Sequence, residues 1–280
     1  MKKYDGKWAR EIIALQNEDG TWGKYFHTLS RPVKNRPLTT EQALRRLWVL
    51  GYTIKDEPIR KTVDYMTACL RCERKMDDTW EKKHDWGLYT KLMLSTWVKI
   101  FEPDNELAHS FAHRWAKVVE NAFIHGTYNH ENYIKAYTYE FSIKPRGGRE
   151  IDFITFYHMS LLQGMLTPET ERLLLDRVLS DSHGIYYVYS VKAPPENFAS
   201  NATSWYLAAL EIIAGYALAK EKLGFVVDWL NANKDQNGQW DLGAKANDNV
   251  YFPLSDSWRN VEDRKADCTD RIMNLLARIR

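Results

Sequence analysis

Two stretches near opposite ends of the chain, LQNEDGTWG (residues 15–23) and LNANKDQNGQW (residues 230–240), follow the same pattern. In each, an apolar helical segment ends, a polar turn containing glycine follows, and a tryptophan comes next. Turns of this kind favour glycine because it adopts positive φ angles without steric cost. The recurrence predicts one structural unit used more than once.

Weaker copies of the pattern lie between these two stretches. The aromatic residues that end the copies are 48 to 58 residues apart, at Trp22, Trp80, Tyr128, Tyr186 and Trp240. A second, more apolar helical segment follows each aromatic residue, beginning at Thr39, Asp85, Ile151, Ser200 and Asp267. The sequence therefore predicts five helical hairpins, with NHENYIKAYTYEF (residues 129–141) as an additional helix.

The two helices of each predicted hairpin differ in polarity. The first carries charged residues on one side, which is typical of an outer helix, and the second is apolar on most of its circumference, which is typical of a buried one. Thr39 precedes Gln42 by three residues, the spacing of a capping box at a helix start. These patterns predict an all-α protein with a single domain over residues 1–280 and long loops gathered on one rim.

The two glycine-tryptophan stretches resemble the QW-type repeat of the prenyltransferase and squalene-cyclase superfamily. The resemblance implies an α/α toroid of about five hairpins, in which parallel inner helices surround an apolar, aromatic-lined cavity. It also implies a small-molecule ligand in that cavity, with an isoprenoid-like compound as one possibility.

The catalytic motifs of that superfamily are incomplete in this chain. The stretch nearest to the cyclase motif Asp-x-Asp-Asp is DCTD, where Thr269 occupies the position of the proton donor. Asp267 and Cys268 are adjacent and no histidine follows them, unlike the zinc ligands of protein prenyltransferases. We therefore predict no metal and no cofactor, and the sequence leaves open whether the chain is an enzyme. In the alternative interpretation, Asp267 or Thr269 caps the last helix.

Two further pairs have the spacing of metal ligands. Cys69 and Cys72 form a CxxC without a second pair, which favours two buried thiols on one helix. His109 and His113 are one helical turn apart without a nearby acid, which favours a solvated helix face.

Polar and aromatic residues converge on the predicted rim. A pocket that is mostly apolar with a few convergent polar groups is the usual form of a ligand site. The predicted catalytic residues are Asp85, Asp152, His158 and Asp267. The predicted ligand-binding residues are His27, Arg31, Trp86, Tyr89, Tyr157, Trp205, Asp256, Trp258 and Arg259. Glu41 is a further acid on this rim, and each acid has a helix cap as its alternative role. His158, in an apolar segment, has the alternative of a hydrogen-bonded core histidine.

Composition narrows the possible partners. The 39 basic and 37 acidic residues nearly balance, giving a net charge of +2, which favours neither nucleic acid nor an acidic membrane surface. No apolar run reaches the length of a membrane span, and the first residues do not resemble a signal peptide, so we expect a cytoplasmic protein. The sequence sets no oligomeric state.

Three functions remain compatible with these patterns. The first is a small-molecule enzyme or binder of the toroid type. The second is a carbohydrate-active hydrolase or lyase, which would use two carboxylates such as Asp85 and Asp152. The third is a non-catalytic module that binds another protein through its rim, in which the rim acids serve as caps and ion-pair partners.

Overall fold

The computed structural model describes residues 3–27, 38–78, 85–180, 185, 188 and 190–280. Over these ranges the regular structure is α-helical, with one short 3-10 turn and one isolated bridge between Gln16 and Trp22. The all-α prediction is therefore confirmed. The helices are α1 Lys7–Ile13, α2 Thr40–Val49, α3 Glu57–Leu70, α4 Trp86–Phe101, α5 Glu106–Ala122, α6 His130–Phe141, α7 Phe156–Leu161, α8 Pro168–Ser180, α9 Asn201–Ile213, α10 Ala219–Lys222, α11 Gly224–Ala232 and α12 Val261–Ile279.

Side-chain caps fix where most of the longer helices begin. Thr39 and Gln42 form the predicted capping box at the start of α2. Such a cap satisfies backbone N–H groups that have no partner within the helix. The other helices that begin with a side-chain cap use Asp85, Asn105, Asn129, Thr155, Thr167, Ser200 and Asn260.

The two glycine-tryptophan turns have the same backbone structure. The amide of Asn17 donates to the carbonyl of Thr21 at 2.8 Å, and the amide of Asp235 donates to the carbonyl of Gln239 at 2.8 Å. Between these residues each turn has a glycine with positive φ, 88° in the first turn and 76° in the second. The likeness seen in the sequence is therefore a likeness of local structure.

The tryptophan of each turn forms a hydrogen bond with the end of the preceding helix. The indole nitrogen of Trp22 donates to the carbonyl of Ile12 at 2.8 Å, and that of Trp240 donates to the carbonyl of Leu230 at 2.7 Å. Both indoles are buried. Each indole thus adds a second hydrogen bond to a carbonyl near a helix end, beside the backbone amide of Leu15 or Asn233.

The same tryptophans also reach the next helix of the hairpin. The amide of Trp22 donates to the hydroxyl of Thr40 in α2, and the amide of Trp240 donates to the hydroxyl of Thr269 in α12. Thr269 therefore anchors the turn, and it does not cap the last helix. The glycine-tryptophan unit joins the first helix of a hairpin to the second.

Helix contacts follow the predicted order in part. Helix α1 packs on α2, α3 on α4, and α11 on α12, as three of the predicted hairpins require. Among the second helices, α4 contacts α7, α7 contacts α9, and α9 contacts α12. Helix α6, the predicted additional helix, packs against α5. The buried apolar residues form one continuous cluster from Ala9 to Ile279.

Two predicted helix starts are wrong. Helix α7 begins at Phe156, because Thr155 caps it. Helix α12 begins at Val261 behind the cap Asn260, so Asp267 lies inside the helix and caps nothing. In both cases a polar residue of the right type stood at the true start, and the apolar pattern alone placed the boundary wrongly.

Helix α2 is less apolar than an inner helix was expected to be. It buries Glu41, Arg45 and Arg46. Burial of charged groups is tolerated only when they are paired and hydrogen-bonded. The partners of these three side chains therefore locate the polar groups of the interior.

Candidate functional site

Four predicted ligand-binding residues lie in one contiguous series of rings. The ring centroids of His27 and Trp86 are 6.0 Å apart, those of Trp86 and Tyr89 are 5.9 Å apart, and those of Tyr89 and Tyr157 are 5.8 Å apart. We call His27, Trp86, Tyr89 and Tyr157 the aromatic series. It connects the first loop with the starts of α4 and α7, at the end of these helices where the sequence placed the rim.

A buried carboxylate ends the aromatic series. One oxygen of Glu41, Oε1, accepts hydrogen bonds from the Tyr157 hydroxyl at 2.9 Å, the Trp97 indole nitrogen at 3.2 Å and Arg45 at 3.1 Å. These donors come from α7, α4 and α2 itself. Glu41 is therefore the point at which three helices share one polar group.

Arg45 compensates the charge of Glu41 without access to water. Its guanidinium carbon lies 4.0 Å from the centroid of the Phe156 ring and 5.1 Å from that of Trp97. A guanidinium over an aromatic face is stabilised by the electrons of the ring. The polar end of the site is thus electrically balanced, which favours a ligand without a strong charge.

Several aromatic residues on the second helices are only partly buried. They are Trp48, Trp86, Tyr89, Tyr157 and Trp205, whereas Trp97 is fully buried. Burial, followed by the nearby charge of Glu41, raises the pKa of the Tyr157 hydroxyl well above its usual value. Tyr157 is therefore neutral, and the residue remains partly exposed.

The orientation of His27 is set by Asp78. The carboxylate of Asp78 accepts the backbone amide of His27 at 2.9 Å and lies 3.1 Å from the Nδ1 atom of its ring. The imidazole is buried and meets Trp86 edge to face. A carboxylate behind one ring nitrogen fixes the ring orientation and leaves the other nitrogen for further contacts.

Two of the predicted catalytic acids accept hydrogen bonds from backbone amides. Asp85 is exposed and accepts the amide of Leu88 at 2.9 Å as the cap of α4. Asp152 is exposed and accepts the amide of Ile154 at 3.0 Å. The catalytic roles of both residues stay predictions, and their geometry is that of helix-cap and turn residues.

The other two predicted catalytic residues are buried. His158 lies with its Nδ1 atom 3.1 Å from the Thr155 hydroxyl and its ring against Trp115 at 4.2 Å. Asp267 accepts the amides of Leu254 and Ser255 and the hydroxyl of Ser255. Burial raises the pKa of the Asp267 carboxyl, and these hydrogen bonds act against that rise. Both residues lie outside the aromatic series.

The remaining predicted ligand-binding residues are spread over other parts of the chain. Trp205 packs edge to face on Tyr251 at 5.6 Å. Asp256 accepts the amide of Lys7 at 2.7 Å. Arg31 lies outside the described residues.

Trp258 and Arg259, predicted together as loop residues of the rim, have different environments. The indole of Trp258 is buried, and its nitrogen donates to the carbonyl of Ala244 at 3.0 Å. Arg259 is exposed. Trp258 thus packs the loop before α12, and neither residue contacts the aromatic series.

Two residues of the site, Arg45 and Asp78, were not singled out by the sequence interpretation. Arg45 lies four positions after Glu41 on a helix that is otherwise buried, a spacing that places both side chains on one face. That spacing was visible in the sequence. The role of Trp97 was not, because only the packing of α4 on α2 brings its indole to Glu41.

Among the described residues, no three His, Cys, Asp or Glu side chains lie together in a way that could hold a metal ion. This applies to the cysteine pair and to the histidine pair. Cys69 is partly buried, but Cys72 is exposed, so the expectation of two buried thiols is wrong for Cys72. The rings of His109 and His113 are 4.7 Å apart.

Comparison with models of protein families, with curated proteins and with solved structures finds no match. Across the described ranges, no helix is both long and apolar enough to cross a membrane.

Proposed function

We propose that the chain is an α/α toroid that binds a small, largely apolar molecule of isoprenoid-like character against the aromatic series. The observation that carries the proposal is the contiguous run of partly accessible rings from Trp86 to Tyr157 that ends on Glu41. Ligand sites are typically apolar and aromatic with a few polar groups that fix orientation. The paired glycine-tryptophan turns and the contacts of α4, α7, α9 and α12 in chain order support the toroid.

The proposal assigns binding and no reaction. The residues nearest to the cyclase and prenyltransferase motifs make structural hydrogen bonds. Asp267 accepts the backbone amide of Leu254 in the loop before α12, and Thr269 accepts the backbone amide of Trp240. Burial raises the pKa of the Cys268 thiol to about 12, so the free thiol is protonated at neutral pH.

The two alternative functions have less support. A carbohydrate-active site would need two carboxylates facing substrate, and Asp85 and Asp152 both accept backbone amides. A protein-binding rim would be consistent with those caps, but it does not require a contiguous run of rings that ends on Glu41.

Titration of the protein with farnesol, an isoprenoid alcohol, tests the proposal by calorimetry and tryptophan fluorescence. We expect one molecule bound per chain, and Tyr89→Ala should weaken the affinity by about tenfold because it removes the middle ring of the series. Tyr139→Ala is the matched control, since Tyr139 is 84% exposed on α6, and it should leave the affinity unchanged.

Equal farnesol binding by Tyr89→Ala and the wild-type protein would contradict the location of the site. Binding of cellobiose in place of farnesol would favour the carbohydrate alternative and overturn the proposal, as would the absence of any binding.

A further inference from the structure

A cavity lies between the end of α2 and the second half of α12. Its volume is about 320 Å³, and we call it the seam pocket because α2 and α12 are the first and last of the second helices. The segment before α12 closes it from one side, and Arg46 secures this segment by donating to the carbonyls of Val250 and Pro253. Trp48, at the end of α2, lines the pocket, whereas Glu41 belongs to the first turn of that helix. The seam pocket is therefore separate from the aromatic series.

One wall of the seam pocket is aromatic. Trp48 and Tyr4 both line it and both remain partly accessible. Tyr52 is held in place by a hydrogen bond from its hydroxyl to Asp5 at 2.7 Å and by Lys3 over its ring. Flat side chains that are fixed in this way offer a surface on which another ring can stack at little entropic cost.

A polar stripe along α12 forms a second part of the lining. Asp270, Asn274 and Arg278 are spaced by four residues, so they lie on one face of the helix, and all three line the pocket. Among the described residues, only the hydroxyl of Tyr4 hydrogen-bonds the Asp270 carboxylate, and the Asn274 amide has no side-chain hydrogen bond. Arg278 donates to the carbonyl of Glu211 at 2.7 Å through one of its terminal nitrogens. The stripe therefore offers a carboxylate, an amide and a guanidinium with hydrogen-bonding capacity left over.

The ion pair of Arg271 and Glu211 forms another part of the lining. Arg271 donates to both carboxylate oxygens of Glu211, at 2.7 and 3.1 Å, and to the hydroxyl of Ser204 at 3.0 Å. Its guanidinium also lies 4.6 Å from the centroid of the Tyr251 ring. With Glu211 paired to Arg271, and with Asp270 on the same stripe as Arg278, the charges that line the pocket balance. A neutral ligand suits such a lining better than a strongly charged one.

We infer that the seam pocket binds a neutral, planar heteroaromatic molecule whose edge carries adjacent N–H donors and a carbonyl acceptor, the pattern that guanosine presents. The ring would stack on Trp48 and Tyr4, its two donors would face the Asp270 carboxylate, and its acceptor would face Asn274 and Arg278. Carboxylate, amide and guanidinium groups are flat and pair side by side with the edge of such a ring. The cavity volume is near the lower end of the range for small-molecule sites, about 300–1,000 Å³, which suits one fused ring with a substituent.

The shape of the polar lining argues against a sugar in this pocket. The hydroxyls of a pyranose point outward around the whole ring and need polar partners on several sides. Here the side chains with hydrogen-bonding capacity left over, Asp270, Asn274 and Arg278, all lie on α12. Glu211 and Arg271 are paired with each other, and Trp48 and Val49 add apolar surface to the lining. A flat ring with one polar edge matches a pocket with one polar wall.

Calorimetric titration of the full chain with guanosine tests this inference, with adenosine as the comparison ligand. We expect guanosine to bind with one site per chain and more tightly than adenosine, which lacks the pair of donors and the carbonyl. Asn274→Leu should weaken guanosine binding by about tenfold, because it removes one hydrogen bond to the ligand. Met273→Leu is the control, because Met273 precedes Asn274 on α12, is 48% exposed and does not line the pocket.

A second variant tests the role of the carboxylate. Asp270→Asn keeps an acceptor for the Tyr4 hydroxyl but presents only one acceptor atom, so the preference for guanosine over adenosine should disappear. Thermal unfolding of each variant checks that the fold is retained. No binding of guanosine, binding of cellobiose in its place, or guanosine affinity unchanged in both Asn274→Leu and Asp270→Asn would each overturn the inference. Because this site does not include Tyr89 or Tyr157, its failure leaves the farnesol experiment unaffected.

Discussion

At the scale of single residues, the carboxylate of Glu41 links three helices. Its Oε1 atom accepts hydrogen bonds from Arg45, Trp97 and Tyr157, and the side chain is 2% exposed. A buried ion pair is a weak source of net stability, because desolvation offsets most of the attraction between the charges. Removal of one partner is nevertheless strongly destabilising, since the other charge is left without compensation.

We therefore expect Glu41→Gln to lower the free energy of unfolding by about 3 kcal/mol, because Arg45 would remain charged in an apolar setting. The double variant Glu41→Gln with Arg45→Met should recover most of this loss, as coupling between contacting residues predicts. Urea denaturation monitored by tryptophan fluorescence measures both values.

The exposed pair of Glu131 and Lys135 on α6 has the same spacing of four residues and serves as a control. Glu131→Gln should leave the unfolding midpoint unchanged, since exposed pairs of this kind contribute little. If Glu41→Gln leaves the unfolding midpoint unchanged, as expected for Glu131→Gln, then the hydrogen bonds of Glu41 to three helices do not stabilise the fold as we propose.

At the scale of structural elements, the two glycine-tryptophan turns share their hydrogen bonds but differ in their surroundings. A Cβ atom at Gly20 would lie 2.7 Å from the backbone carbon and oxygen of Lys61. At Gly238 a Cβ atom would meet nothing within 4 Å. Both glycines have positive φ, so both positions are strained for any other residue.

The same substitution in the two turns should therefore have unequal effects. Gly238→Ala should cost about 1–2 kcal/mol of stability through backbone strain alone. Gly20→Ala should cost at least about 1 kcal/mol more, because α3 would have to shift away from the turn. Urea unfolding of the two variants under one set of conditions measures the difference, and equal losses would show that α3 does not pack on the first turn as described.

An ion pair that titrates in acid also connects α12 to Asp241, the residue that follows the second glycine-tryptophan turn. Arg264 donates to both oxygens of Asp241 at 2.7 Å, and these hydrogen bonds hold the pKa of the Asp241 carboxyl below its usual value. The pair stabilises the fold fully above the pKa of an unperturbed aspartate, about 4. Its contribution is lost as the pH falls through the lower pKa of the folded state.

Consequently, the wild-type protein should lose stability more steeply than Asp241→Asn between pH 5 and pH 3, because only the wild type has this carboxylate to protonate. Urea midpoints measured at intervals of half a pH unit provide the comparison. Parallel curves for the two proteins would mean that the ion pair of Asp241 and Arg264 contributes no stability.

At the scale of the whole molecule, local patterns in the sequence predicted more than long-range packing. The glycine-tryptophan turns and the capping box at Thr39 depend on residues a few positions apart, and both are present in the structure. The starts of α7 and α12 were misplaced because apolar periodicity continues across a boundary that Thr155 and Asn260 define.

The candidate site likewise has one part that the sequence predicted and another that it did not. The aromatic series could be anticipated in part, since Trp86 and Tyr89 lie in the first turn of the helix predicted from Asp85, and Tyr157 lies in the second turn of the helix predicted from Ile151. The junction at Glu41 and the seam pocket could not, because each joins residues from helices that are far apart in the chain, such as Trp48 and Asn274. Their positions follow from the order in which the helices pack.

The ligand site at the aromatic series is tested most directly by native mass spectrometry of the protein purified from its own host. The wild-type chain, of 32.9 kDa, should carry the mass of one small organic molecule that is missing from Trp86→Ala purified in the same way. If every added mass on the wild-type protein is also present on Trp86→Ala, or if the wild-type protein carries no added mass, the proposal that the aromatic series binds a ligand is contradicted.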